Sequence, residues 1–435
     1  MEMIEISASD FCDSVRDGTH DSPKPVEGHG RPLITTKHMK DGRVSIEDAY
    51  LISEADFEKV NQRSQVHQWD VLISMIGTLG ELVLVKNEPT YAIKNIGLFK
   101  TKSKYDGLWL YYYLQSPKAK NYMHTSAQGS TQQYLSLKTL RSFPLLVPDS
   151  EPNKRAICEV LKSIDDKIEL NQKINQTLGE IAKAIFKSWF VDFDPVRAKV
   201  EGCSTGLPPE ISNLFPYELV DSDIGKVPKG WDVKIISDLA ECVGGATPST
   251  KNPDFWEGGN LAWTSPKDLS AAKSIHLLKT DKKITEAGLK KISSGLLPVG
   301  TVLLSSRAPV GYLALTTEPT AINQGYIALK PRCGISNYFL LHWCEFNMDE
   351  IKNRASGTTF AEISKAGFRP ILAIAPCNDV MDKFHEFSSP LYERALVASK
   401  ETETLTELRD TLLPRLISGE LRIPDAEKIL KQASI

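Results

Sequence analysis

The sequence predicts a mixed α/β (α+β) protein in which two globular units alternate with two long helices packed as an antiparallel coiled coil. Three observations predict it. The chain repeats itself once, each copy is followed by a long helical pattern, and the copies are filled by short β-branched runs punctuated by Gly, Pro and Asn.

The repeat is read from matched words. Val71-Leu72-Ile73-Ser74, Gly80 and Glu88-Pro89-Thr90 correspond to Val302-Leu303-Leu304-Ser305, Gly311 and Glu318-Pro319-Thr320. Ala92-Ile93 then matches Ala321-Ile322, Gly129-Ser130-Thr131 matches Gly357-Thr358-Thr359, Lys138 matches Lys365 and Pro148 matches Pro376. Order is kept at a nearly constant offset (302 − 71 = 231; 376 − 148 = 228), which chance does not readily give. Residues 1–60 do not align with residues 230–290, so the copies are expected to be related in their second halves and divergent in their first.

The first helix is expected from about Ser150 to Asp192, with Ser150 as N-cap and Asp194-Pro195 as its stop. Ile157, Ile164, Asn171, Leu178 and Ile185 recur at seven, as do Leu161, Ile168, Asn175, Ala182 and Trp189, a seam at coiled-coil spacing. The two asparagines weaken such a seam and commonly fix register or partner. At 1.5 Å per residue the helix would reach roughly 60 Å, beyond one small domain. The second helix is expected over Asn378–Ser418, with Phe384, Leu391, Ala398, Leu405 and Leu412 at seven and with Pro390 and Pro414 kinking or interrupting it. The domains are therefore drawn as unit 1–149, central helix 150–195, linker 196–229, unit 230–376, and distal helix with tail 377–435. The linker is Gly- and Pro-rich without periodicity.

Composition limits the function classes. The 435 residues suit two or three domains, and 41% apolar with 25% charged content excludes a disordered or fibrous chain. A net charge of −3 argues against a uniformly basic nucleic-acid binder and leaves room for a local positive face. The seven cysteines show no CxxC spacing and read as reduced thiols, and no run approaches a membrane span, so a cytoplasmic protein without membrane contact is expected. No phosphate-binding GxxxxGK[ST] loop, no GxGxxG and no HExxH is present. Asn252-Pro253-Asp254-Phe255 is a near miss for an adenine-methyltransferase loop and reads better as a turn, and Asp165-Asp166-Lys167 reads better as a solvated helix face than as a metal site. Lysines gather at Lys86, Lys94, Lys100, Lys102 and Lys104, and again at Lys267, Lys273, Lys279, Lys282, Lys283, Lys290 and Lys291, giving each copy a stretch able to face phosphates.

Base reading needs side chains with paired donors and acceptors. Gln128, Ser130, Thr131, Gln132, Gln133 and Tyr134 form a polar loop with amides and an aromatic ring, matched in the second copy by the loop carrying Thr358 and Thr359. Arg307 follows the second Val-Leu-Leu-Ser run where Ile76 stands in the first. Structural turns are the alternative for these loops. The seam ends in Phe186, Trp189 and Phe190 beside Lys183 and Lys187, which suits a partner-binding surface or, equally, core packing between the helices.

Asp17-Gly18-Thr19-His20-Asp21-Ser22-Pro23, Gly245-Ala246-Thr247-Pro248-Ser249 with Trp263-Thr264-Ser265-Pro266, Ile185–Arg197 and Leu412–Leu421 together resemble the opening loops and the central and distal conserved regions of Type I restriction-modification specificity (S) subunits, the HsdS family. The resemblance spans nearly the whole chain. It implies two target-recognition domains that read a bipartite, asymmetric DNA target, with no catalysis by this chain. It implies as partners double-stranded DNA, two modification (methyltransferase) subunits and a restriction/translocase subunit. S-adenosylmethionine, ATP and magnesium are then expected on those partners and no cofactor on this chain. It adds Thr19, His20, Lys37, Thr247, Ser249, Thr264, Ser265 and Lys267 to the DNA-contact candidates, and Leu412 and Leu416 to the partner-binding ones. Two rival readings are a coiled-coil assembly scaffold that reads no DNA and a self-contained DNA methyltransferase.

Overall fold

A computed structural model describes residues 2–129, 133–272, 274–357 and 361–432. The chain forms two compact units, Met1–Glu169 with Glu403–Ile435, and Leu170–Thr402. Both boundaries fall inside the long helices, which span Glu151–Phe190 (the central helix) and Asn378–Ile417 (the distal helix).

In the first unit, four antiparallel strands lie in the order Ser14–Asp17, Ile96–Lys100, Val71–Ser74, Leu82–Leu84. Val71–Ser74 is buried at every position, which is why it reads as a continuous apolar run and not as an alternation. A second sheet orders Leu51–Ile52, Arg31–Ile34 and Ala92–Ile93, the last two parallel. The first strand, Met3–Ser7, pairs with the last, Pro144–Pro148. Helix Lys104–Gln115, capped by Ser103, buries Trp109, Tyr112 and Tyr113 against the sheet, and Trp109 Nε1 donates to Leu146 O at 2.9 Å. The same core takes Ile157, Leu161, Ile164 and Ile168 from the central helix and Leu405, Leu412 and Leu416 from the distal one.

The second unit repeats the order and direction of these strands. Its main sheet runs Ala240–Val243, Tyr326–Pro331, Val302–Ser305, Leu313–Thr316, with His276–Leu277 added at the edge. Lys282–Ile284, Leu261–Thr264 and Thr320–Ile322 form the three-stranded sheet, again with one parallel pair, and Asp232–Ile235 pairs with Leu372–Ala375. The expected divergence of residues 1–60 from 230–290 thus holds for side chains and fails for topology. Backbone hydrogen bonds set strand order, and they tolerate any side chains that bury the proper face.

Two other expectations are corrected. Residues 196–229 are not an irregular linker. They carry the helix Asp194–Val200 and the hairpin Leu219–Ser222/Gly225–Pro228, and Val196, Ile211 and Phe215 are buried in the core of the second unit. The glycines and prolines there punctuate short elements. Pro390 and Pro414 do not interrupt the distal helix, which is continuous through both. Each proline removes one N–H, and burial of Phe384 and Ser388 near the first and of Leu412, Leu413 and Leu416 near the second holds the backbone in place. The seam asparagines donate across the helix pair inside the second unit, while Asn175 Oδ1 is buried without a partner. Asn171 Nδ2 donates to Glu401 Oε2 at 2.8 Å, and Asn175 Nδ2 donates to Ser399 Oγ at 3.0 Å, an antiparallel register.

Candidate nucleic-acid interface

Each unit ends its central strand in the same tight turn, and a serine builds it. Ser305 Oγ accepts from Gly311 N (3.1 Å) and Tyr312 N (2.7 Å) and donates to Pro309 O (2.8 Å). Ser74 Oγ accepts from Glu81 N at 2.8 Å and donates to Thr78 O. The strand that leaves this serine meets a polar loop. In the first unit Leu135 N donates to Met75 O (2.9 Å), Ile76 bridges Tyr134, and Gln128 and Tyr134 exchange backbone bonds of 2.9 and 2.8 Å. In the second unit Ile363 N donates to Ser306 O (3.0 Å), Arg307 bridges Glu362, and Ser356 and Glu362 exchange bonds of 3.0 and 2.9 Å. The two loops therefore have equivalent bases, each closed by a backbone pair beside the strand end.

The opening loops are equivalent too, although their sequences differ. A Cβ on Gly18 would lie 2.4 Å from Ile93 O, and one on Gly245 would lie 1.8 Å from Ile322 O, so both positions admit only glycine. The next residue, Thr19 or Ala246, donates its N–H to that same carbonyl at 3.1 or 3.0 Å. The residue after it reaches an amide on the strand connection: His20 Nδ1 lies 2.8 Å from Asn95 Oδ1, and Thr247 Oγ1 donates to Gln324 Oε1 at 2.7 Å. His20 Nε2 also lies 2.9 Å from the buried Asp17, which Arg63 of the helix Glu54–Ser64 contacts as well. Thr19, Asp21, Lys24, Asp56, Lys59 and Arg63 line a cleft of about 520 Å³ at this place. Asn95, Gln324, Arg63 and Glu362 were not singled out from sequence. The match Ala92-Ile93 to Ala321-Ile322, extended by two residues, would have found the paired amides.

The remaining candidates separate by exposure. Lys37, His20, Gln128, Gln133, Tyr134, Thr247, Ser249 and Lys267 are exposed, and Thr19, Ser265 and Arg307 are half-buried. Ser130, Thr131, Gln132, Thr358 and Thr359 lie outside the described residues. Thr264 is corrected: it is fully buried, with Oγ1 at 3.1 Å from both Asp268 Oδ2 and Tyr326 OH, because it ends a strand beneath the helix Pro266–Ala271. Ser265 and Asp268 form the capping box of that helix, so the Ser265 hydroxyl is already engaged. The lysine stretch of the first unit is largely spent internally: Lys86 pairs with Glu169 (2.6 Å), Lys100 with the buried Asp70 (3.5 Å) and Lys104 with Glu159 (3.5 Å). Burial raises the Asp70 carboxyl, and two backbone N–H groups from His67 and Thr101 with Lys100 oppose that rise.

The aromatic end of the central helix is also corrected. Phe186, Trp189 and Phe190 are 2%, 4% and 5% exposed, and Leu412 and Leu416 are buried as well. Phe186 and Phe190 each pack on both Phe339 and Phe384 of the second unit. These five residues are core, which is the alternative the seam allowed for its aromatic end and a correction for Leu412 and Leu416. All seven cysteines are free, and burial pushes the Cys12 thiol up to about 12 and the Cys242 thiol up to about 11, which leaves both inert. Among the described residues, no cluster of His, Cys, Asp and Glu could hold a metal ion, and no helix is long and apolar enough to cross a membrane.

Comparison with known proteins agrees with this geometry. A family model described as Type I restriction modification DNA specificity domain matches residues 5–180 and 228–372. The chain is 31% identical over 341 residues to the Type I restriction enzyme HindI specificity subunit of Haemophilus influenzae, covering 69% of this chain and 73% of that protein. It is 35% identical over 193 residues to the Type I restriction enzyme MjaIX specificity subunit of Methanocaldococcus jannaschii, covering 44% of each. Its fold is similar to the crystal structure of a Type I restriction-modification S subunit from M. genitalium, with a TM-score of 0.57 at 14% identity over 96% of both chains. With a family model covering both repeats, this chain belongs to the Type I restriction-modification specificity subunits, the family that confers DNA target recognition.

Proposed function

We propose that the chain reads a bipartite, asymmetric duplex target, one half with each unit, and directs methylation and restriction by partner subunits. The observation that carries this reading is the duplication itself: one strand plan, used twice, presents the same opening loop and the same closed loop base with different side chains. Two different readers on one chain suit two different half-sites, unlike the palindromes read by symmetric dimers. The exposed polar groups at these loops, Gln128, Gln133, Thr247 and Gln324 among them, have the donors and acceptors that base edges require. Two modification subunits and a restriction/translocase subunit would supply S-adenosylmethionine, ATP and magnesium chemistry, while this chain supplies the address.

Sequencing of modified bases in cells carrying this chain and its modification subunits tests the reading. A motif in two unequal parts separated by a non-specific gap is expected, and a single continuous or palindromic motif would refute two independent readers. Calorimetry on the purified chain should show no binding of S-adenosylmethionine or ATP. Micromolar binding of either would return the self-contained methyltransferase to consideration.

A further inference from the structure

The two closed loop bases differ in one respect that the fold does not require. At the bridge between strand end and loop, the first unit places Ile76 opposite Tyr134, and the second places Arg307 opposite Glu362. Arg307 Nη1 lies 3.8 Å from Glu362 Oε2, with the two side chains 36% and 47% exposed. An ion pair this open contributes little to stability. The backbone bonds beneath it already close the loop base, and the first unit closes the same base with no charge at all. Nor does the pair suit a phosphate clamp. A carboxylate this close to the guanidinium cancels its attraction for phosphate beyond a few ångströms and itself repels the DNA backbone.

An arginine with a carboxylate 3.8 Å from one Nη, at the base of a polar loop, is instead suited to a base edge. The guanidinium has five donors in a rigid plane, so a partner on one side leaves the other edge free to donate in parallel to two acceptors. In the major groove that acceptor pair is guanine O6 and N7. We infer that Arg307 reads a guanine in the half-site of the second unit and that Glu362 is its positioning residue. This rests on the proposed DNA-reading function. The matching loop base of the first unit, with Tyr134 40% exposed beside Ile76, offers apolar surface suited to a thymine methyl, so the two half-sites differ at this point.

The test uses the complete methyltransferase complex assembled on this chain, assayed for methylation of a duplex library randomised at every target position. The wild-type complex is expected to require guanine at one position of one half-site. Arg307→Ala should lower discrimination at that position alone by roughly 5- to 150-fold, as loss of one bidentate contact does. Arg307→Lys keeps the charge and a donor for guanine but loses the rigid fork, so it should lower discrimination less than Arg307→Ala while its affinity for non-specific duplex stays at wild-type level. Glu362→Gln should weaken discrimination at the same position and raise non-specific affinity, because a negative charge leaves the DNA face; a merely structural role would move neither. Guanine selectivity retained by Arg307→Ala, or loss spread evenly over both half-sites in any of the three variants, would overturn the inference while leaving the two-reader function standing. A wild-type complex with no defined bipartite target would overturn both.

Discussion

Truncation of Phe186 separates core packing from partner binding. Its ring lies 5.3–5.5 Å from those of Phe190, Phe339, Phe346 and His342, and 6.0 Å from that of Phe384. At 2% exposure it has no free face to offer another protein. Phe186→Ala should cost about 3–5 kcal/mol, the range for removing a buried aromatic ring whose neighbours cannot collapse fully into the space. For a unit of this size each kcal/mol lowers Tm by about 2–4 °C, so 4 kcal/mol lowers it by about 8–16 °C. Phe186→Leu, which refills most of the volume, should cost less than half as much. Calorimetry on the full chain would read the shift, and hydrogen exchange would assign it to residues 170–402, with the sheet of the first unit unchanged. A Phe186→Ala chain that melts at the wild-type temperature yet fails to co-purify with its modification subunits would refute the core assignment and restore an interface role.

Three further outcomes are expected. Burial, with Lys400 nearby, lowers the His276 pKa from 6.5 to about 4, so the unfolded chain takes the proton first. Stability of the second unit should then be full above pH 6.5 and fall by about 1.4 kcal/mol per pH unit towards pH 4, and a His276→Gln chain melted across this range should lose most of the slope. Gly18→Ala and Gly245→Ala each drive a Cβ into a strand carbonyl and should destabilise their own unit by more than about 1 kcal/mol in denaturant titration; a neutral result at both would refute the shared close approach. Gly179→Ala, in the central helix with nothing within 4 Å of the added Cβ, should raise stability by about 0.5–1 kcal/mol, and a loss would mean the helix is not continuous there.

What was legible in the sequence follows from which physical signals survive in one dimension. The Val-Leu-Ile-Ser and Val-Leu-Leu-Ser strands are buried on both faces, so their composition is restricted and the repeat shows. The long helices show because the seam residues Ile157, Leu161 and Ile164 recur at a fixed spacing. The equivalence of the opening segments was hidden. It depends on strand pairing and on one close backbone approach, and it survives in sequence only as Gly18 and Gly245. Trp189 and Phe190 were ambiguous for another reason. Flanking lysines suggest a surface, but the partners that cover these rings, Phe215, Trp231 and Phe384, lie far along the chain. Thr264 entered the candidates through the family resemblance alone, which carries no burial information, and its hydroxyl faces the buried Tyr326.

The pairing of first strand with last has a consequence for how such chains can change. Met3 lies opposite Pro148 and Asp232 opposite Ala375, so the backbone enters and leaves each repeated copy about 5 Å apart. Everything between those points is a closed excursion from a short clasp. One excursion can in principle be replaced by another of different length and wording, provided the clasp strands and the helix that follows remain. Homologous recombination at the clasp would then deliver a whole new reader in a single event, with no need for neighbouring residues to be retuned one at a time.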